Sequence, residues 1–119
     1  MNNLFNISSI QAWSYIAGFY EGEGSCGFYF NKSCGRPNLT VTICQKSRII
    51  LDKINKFIHS GTVYYGNAAT SYRLCLSSAQ ARWFLNKILL YCHCPIKIKQ
   101  LKKALKLDKK YIKPRRTGF

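Results

Sequence analysis

The sequence predicts an α+β domain, with a four-stranded antiparallel, saddle-like sheet carrying helices on one face in the order α-β-β-α-β-β-α. Two observations predict it. A helix-spaced segment followed by two alternating segments around a turn-rich linker occurs twice along the chain; two such hairpins can join into one sheet that the helices cover on one side. With 119 residues, 47% hydrophobic and 14% aromatic, the chain also has the size of one domain with a modest core. We expect that domain over residues 1–112 and a basic polar tail over residues 113–119.

Each element has its own signal. "SSIQAWSYIAGFYE" reads as a helix capped by Ser8 or Ser9, with Ile10, Trp13, Ala17 and Tyr20 at helical spacing and Gly22 and Gly24 at its end. "SCGFYFN" alternates Cys26, Phe28 and Phe30 against Gly27, Tyr29 and Asn31, and "LTVTICQ" alternates Leu39, Val41 and Ile43 against Thr40, Thr42 and Cys44. The turn-rich "KSCGRPN" between them closes a hairpin. "RIILDKINKFIH" is helical through Leu51, Ile54 and Ile58 and stops before Gly61. The pattern then repeats with "TVYY", a turn at "GNAAT", the strand "SYRLCLS" and a helix from Ala79 to about Tyr91, where Ser77 and Gln80 have the spacing of a capping box. Pro95 opens a last, basic helix containing Ile98, Leu101 and Leu105.

Charge narrows the choice of partner. Nineteen Lys and Arg against four acidic residues give +15, which points to a polyanion such as nucleic acid, or less specifically to an anionic membrane surface. No apolar run approaches the roughly 20 residues of a membrane span, so no membrane partner is expected. The start "MNNLFNISSI" lacks the pattern of a secretory signal. An intracellular site is expected, in a bacterial or phage-host cytoplasm or an organelle interior. The six cysteines are read as reduced. "CHC" at 92–94 lacks the paired spacing of a structural zinc site and reads as cysteines around a helix end. No small-molecule cofactor is expected.

The sheet face turned away from the helices would carry Tyr29, Asn31, Thr40, Thr42, Ser71 and Arg73. Such a polar ribbon fits a DNA major groove, where these side chains reach base edges; the commoner reading of the same alternation is an ordinary solvated face.

The four acids raise a sharper point. Two of them, Glu21 and Glu23, stand together where the first helix ends, and a helix C-terminus already carries partial negative charge. The segment "IAGFYEGEG", residues 16–24, resembles the signature of the LAGLIDADG homing endonucleases position for position. Ile16 to Tyr20 fill its helix, Glu21 and Glu23 its acidic positions, Gly22 the small residue between them and Gly24 the last glycine. "VTICQK" and "IKIKQLK" resemble the family's second strand and late basic segment, so the resemblance spans nearly the whole chain.

That resemblance implies a function. Ala17, Gly18 and Gly22 would let two motif helices pack closely, with Glu21 supporting the junction. Single-motif members act as homodimers, which implies a twofold dimer on a long, roughly palindromic double-stranded DNA target. Glu23 would be the catalytic metal ligand, holding Mg²⁺ or another divalent cation such as Mn²⁺ for phosphodiester hydrolysis. Gln45 and Lys99 fall where the family places polar and basic residues around the attacking water, and Arg48 lies near another basic position, among the DNA-binding residues. The alternative is a family member without cleavage that serves as an intron RNA maturase or DNA-binding regulator. A small basic ribosome-associated protein would explain the charge and leave the motif unexplained.

Overall fold

Two hairpins do join into one sheet. The structure, a computed structural model, describes residues 8–31, 35–66 and 71–117. Its elements are α1 (Ser9–Glu23), β1 (Gly24–Asn31), β2 (Arg36–Gln45), α2 (Arg48–Ile58), β3 (Thr62–Gly66), β4 (Ser71–Ser77), α3 (Ser78–Leu89) and α4 (Pro95–Thr117). The strands are all antiparallel in the spatial order β1-β2-β4-β3, so the second hairpin meets the first through its later strand. This is the expected α+β architecture.

Several boundaries differ from the sequence reading for local reasons. Ser8 is the cap of α1, in a capping box whose other half is Gln11. The helix does not stop at Gly22 but runs to Glu23, and the Gly24 N–H donates to the Tyr20 carbonyl as the chain enters β1 without a loop. The Ser77–Gln80 capping box is not made, because Ser77 is still paired with Thr40 as the last residue of β4 and Ser78 turns strand into helix at φ 52°. Helical backbone in α4 continues to Thr117, beyond residue 113 where the tail was expected to begin. Of the turn expected at 32–38, residues 32–34 lie outside the described residues and Arg36, Pro37 and Asn38 already belong to β2; of the turn expected at 66–70, residues 67–70 lie outside them.

After α2, His59 takes the left-handed conformation and Asn55 Nδ2 donates to the carbonyls of Ser60 and Gly61 at 2.8 and 3.0 Å. Gly61 itself has φ 91°, and a Cβ there would stand 2.9 Å from the Cys75 carbonyl. Only glycine serves both demands.

The core lies between the sheet and the helices. Leu39, Val41 and Ile43 of β2 and Leu74 and Leu76 of β4 are fully buried beneath Ala12, Ile16, Ala17 and Tyr20 of α1, Leu51 and Ile54 of α2, Phe84, Leu85 and Ile88 of α3 and Leu101 of α4. Trp13 joins three helices, with ring centroids 5.5 Å from Phe57, 5.6 Å from Trp83 and 6.2 Å from Phe84. Ile10, expected on this stripe, is instead 67% exposed, and Ala12 and Ile16 occupy the buried side. The Arg82 guanidinium donates to the buried Asp108 carboxylate at 2.6 and 3.2 Å, tying α3 to α4.

Phe84 touches both Trp13 and Tyr20. Its replacement in Phe84→Ala should cost about 3–4 kcal/mol of folding stability, the loss of transfer free energy plus a cavity between α1 and α3. Urea unfolding measures it; a midpoint indistinguishable from the unmodified protein would contradict this core.

Candidate active site and nucleic-acid interface

The end of α1 is held by electrostatics. Glu21 Oε2 accepts hydrogen bonds from the backbone N–H groups of His93 and Cys94 at 2.6 and 2.5 Å. These amides immediately precede Pro95, so the carboxylate faces the positive end of α4, the favourable side of a helix dipole. One consequence is local. Burial, and then the Glu21 carboxylate, push the Cys92 thiol up to about 11.

The second consequence concerns Lys97. Its Nζ donates to the Gly24 carbonyl at 2.5 Å and lies 5.7 Å from the centroid of the Tyr20 ring. Tyr20 is fully buried, and its ring lies so close to Gly24 that a Cβ there would stand 2.4 Å from it. Burial drives the Tyr20 phenol far above its ordinary range, so it stays neutral, and the adjacent Cys26 thiol is also raised by burial, in part offset by the Tyr20 hydroxyl and the Lys97 ammonium. A lysine is thereby fixed beside the backbone that follows Glu23.

Lys99, the expected catalytic lysine, is exposed. Two residues along a helix rotate a side chain by about 200°, so Lys99 and Lys97 cannot face the same point. The structure therefore brings Lys97 to the end of α1. Sequence alone did not separate them because "IKIK" offers two equivalent basic positions; the phase of Leu101 and Ala104, both buried, could have done so.

Glu23 stands apart from the other acids. Glu21 holds the two amides, Asp52 pairs with Arg48 at 3.2 Å and Asp108 with Arg82 at 2.6 Å, whereas Glu23 is exposed and makes no such contact among the described residues. Gln45 ends β2 two residues past Ile43, the partner of Gly24, and its Oε1 accepts from the Lys46 N–H at 2.8 Å. Arg48 lies 5.7 Å from the Tyr72 ring, and Tyr72 is the cross-strand partner of Gln45. It belongs to this end of the sheet and not to the open face.

The open face is as the alternation predicts. Opposite register to the buried Leu39, Val41 and Ile43 places Tyr29, Thr40, Thr42, Ser71 and Arg73 together on the uncovered side, while the Asn31 side chain lies outside the described part of the structure. Ser25, Asn38, Thr62 and Tyr64 share it and were missed, although the alternation of Thr62 and Tyr64 with Val63 carried the signal. Two glycines let large side chains lie along the sheet. The Tyr29 ring folds over Gly27, and the Arg73 stem crosses Gly66, where a Cβ would meet its Nε at 2.6 Å. That Nε is buried without a hydrogen-bond partner among the described residues. A buried, unpaired guanidinium N–H costs free energy unless a ligand supplies an acceptor.

The small residues of α1 divide between two faces. Ala17 is fully buried in the core, so it packs inside this subunit and does not line an exposed surface. Gly18 and Gly22 are exposed, and a Cβ at either would meet nothing within 4 Å. Tyr15 and Phe19 stack at 6.1 Å on the neighbouring strip. Glu21, expected to support a junction between subunits, instead accepts from the backbone immediately before α4 of its own chain.

Solved structures share this fold. The homing endonuclease I-CvuI, in complex with the I-CreI target in the presence of Mg with the DNA not cleaved, superposes with a TM-score of 0.71 and 22% identity over 84% of this chain and 67% of that one. The archaeal intron-encoded homing endonuclease I-Vdi141I, complexed with DNA, gives 0.71 and 22% over 89% of this chain and 72% of that one. The LAGLIDADG homing endonuclease I-GzeII, in complex with its DNA target, gives 0.71 and 19% over 95% of this chain and 40% of that one. No protein-family model and no curated protein matches the chain.

The clamp on α4 generates a prediction. Glu21→Ala should lower stability by about 1–2 kcal/mol and accelerate hydrogen exchange at the His93 and Cys94 amides, whereas Glu21→Gln, which keeps an acceptor, should restore most of the protection. Removing the negative charge favours the thiolate, so the pH midpoint for Cys92 alkylation should fall from about 11 in either variant. It should remain above the ordinary thiol range, because burial is the larger cause. Unchanged exchange and alkylation in Glu21→Ala would show that the carboxylate holds nothing.

Proposed function

We propose that this chain, built on the fold of the LAGLIDADG homing endonucleases, is a site-specific double-strand DNA endonuclease that acts as a homodimer on a long, roughly palindromic target. The observation that carries the reading is the end of α1, where Glu23 has no hydrogen bond or ion pair among the described residues while Lys97 is fixed on the next carbonyl. The fold's solved examples cited above are DNA complexes, and +15 on 119 residues suits the same partner.

The donor set fits a hard divalent cation only in part within one chain. Among the described residues no group of three or more His, Cys, Asp or Glu converges, so a single subunit supplies Glu23 and little else. Mg²⁺ suits such a site, since it keeps several waters and accepts one or two carboxylates together with substrate phosphates. A second Glu23 from a twofold partner and the phosphates of the substrate would complete the set. When bound, Mg²⁺ or Mn²⁺ supplies an acidified water and neutralises charge on the departing oxygen.

The chain's own residues do the rest. Glu23 provides the anionic oxygen at the scissile phosphate. Lys97, held on the Gly24 carbonyl, places a positive charge at the end of α1, where it stabilises the extra negative charge of the phosphorane-like transition state. Gln45, at the end of β2, orients the attacking water through its amide. Glu21 acts through Lys97, by fixing the start of α4. On the open face Arg73 and Tyr29, with Thr40, Thr42 and Ser71, read base edges, while the basic side chains contact phosphates. Gly18 and Gly22 form the strip on which a second α1 packs. A cleavage-inactive DNA or RNA binder would share the open face but would have no use for Lys97 fixed at the same end of α1 as Glu23.

Single-turnover cleavage of a plasmid library carrying candidate sites tests the reading. Glu23→Gln should show no Mg²⁺-dependent cutting while binding DNA in Ca²⁺ undiminished. Lys97→Met should slow the cutting step by about 100-fold and Lys99→Met by less than about threefold. Equal losses for the two lysines, or full activity of Glu23→Gln, would remove this active site. Association is tested separately by Gly18→Leu. Because the added side chain meets open space within the subunit, the fold should survive while sedimentation shifts from dimer to monomer. An unmodified protein that sediments as a monomer on DNA would exclude the twofold arrangement.

A further inference from the structure

The lysines of α4 are arranged in a way that binding on the open face does not use. Lys99, Lys102, Lys103, Lys106, Lys109 and Lys110 are all exposed, while Leu101, Ala104 and Asp108 of the same helix are buried and Leu105 is partly so. At about 100° per residue the lysines fall in one band of about 120°, diametrically opposite the buried side. The buried side packs on the helix-covered face of the sheet, where Tyr111 lies 6.0 Å from Phe28, a residue in register with Leu39. The lysine band therefore points away from the sheet, on the side of the molecule opposite Arg73 and Tyr29.

This band has no local neutralisation. The one acid in α4, Asp108, is buried and paired with Arg82. Like charges at i, i+3 and i+4 mildly destabilise a helix, so a bound polyanion would relieve repulsion along the band. Over the eleven helical steps from Lys99 to Lys110 the band is about 17 Å long, enough to follow several phosphates of a duplex.

We infer that α4 is a second duplex-DNA surface, which contacts phosphates without reading sequence and allows one protein to hold two DNA segments at once. The inference rests on the DNA reading of the open face. It goes beyond it in assigning a separate site on the opposite side. The band carries no aromatic side chain for stacking unpaired bases and no arginine fork for base edges, so it suits the regular backbone of a duplex. It is also unsuited to lying in a membrane surface, because the apolar side of α4 is already buried in the core. A neighbouring duplex segment is the polyanion present at highest local concentration around a protein already seated on DNA. Two such surfaces permit transfer from one segment to another without release into solution.

The experiment is a two-duplex capture with the full chain in Ca²⁺. A biotinylated duplex of about 40 base pairs is held on beads, and a dye-labelled duplex of unrelated sequence and equal length is offered in solution. The unmodified protein should retain the dye, with capture falling about 40-fold between about 50 and 200 mM salt if three phosphates are neutralised. The triple variant Lys102→Gln, Lys106→Gln, Lys109→Gln should lose capture by about tenfold or more, while its affinity for a single duplex by anisotropy changes less than about threefold. Its thermal unfolding temperature should be equal or higher, since repulsion is relieved. Equal capture by the variant overturns the inference. So does a parallel fall in single-duplex affinity, which would place these lysines on the DNA already in the cleft, and so does preferential capture of a structured RNA or of phosphatidylserine vesicles. Cleavage of the plasmid library reports on the nuclease reading separately: bridging without cutting removes the nuclease alone, and cutting without bridging removes the second surface alone.

Discussion

The arrangement at the end of α1 depends on one carboxylate. Glu21 accepts two backbone N–H groups at the start of α4, which joins elements more than seventy residues apart in sequence and fixes where the last helix begins. From that fixed start, Lys97 lies on the first turn and reaches the Gly24 carbonyl. The cluster explains why two acids tolerate the negative end of α1. One is spent on the positive end of another helix, and the other has a lysine held one residue away. Surface ion pairs contribute little in general, but hydrogen bonds from oriented amides to a carboxylate are worth more and specify direction.

Electrostatics elsewhere follows from the scarcity of acids. With Asp52 committed to Arg48 and Asp108 to Arg82, the chain has almost nothing left to neutralise its lysines. Positive charge therefore accumulates on surfaces, and the fold determines which ones. The open sheet face is mostly uncharged, with hydroxyls, an amide, Arg36 and Arg73, whereas the outward side of α4 is a band of lysine. The first composition suits discrimination among bases and the second suits attraction to phosphate. The parity of the strands keeps these roles apart, because a shift of one residue would exchange Thr40 and Thr42 with the buried Leu39 and Val41.

Glycine positions show where side chains or backbones need room. Gly27 and Gly66 let Tyr29 and Arg73 lie along the sheet, Gly24 accommodates the Tyr20 ring, and Gly18 and Gly22 leave an exposed strip on α1. The strip and Glu23 belong to the same helix. A partner packed on the strip would therefore bring its own Glu23 near this one without a further connecting element.

The amino-acid sequence by itself determined the elements and the faces. Alternation of Leu39, Val41 and Ile43 with threonines, and helical recurrence of Leu51, Ile54 and Ile58, report burial directly, because a strand has period two and a helix about 3.6. The charge excess and the placement of Glu23 at a helix end were equally legible. The tertiary structure alone decided which strand of the second hairpin meets β2, that Ala17 faces inward while Gly18 faces outward, that Glu21 holds α4 of its own chain, and that Lys97 and not Lys99 stands at the end of α1. Each of these depends on a contact between residues remote in sequence, or on the absolute rotation of a helix about its axis. Local periodicity gives the spacing of a pattern but not its phase against a distant partner, and phase is what packing in three dimensions supplies.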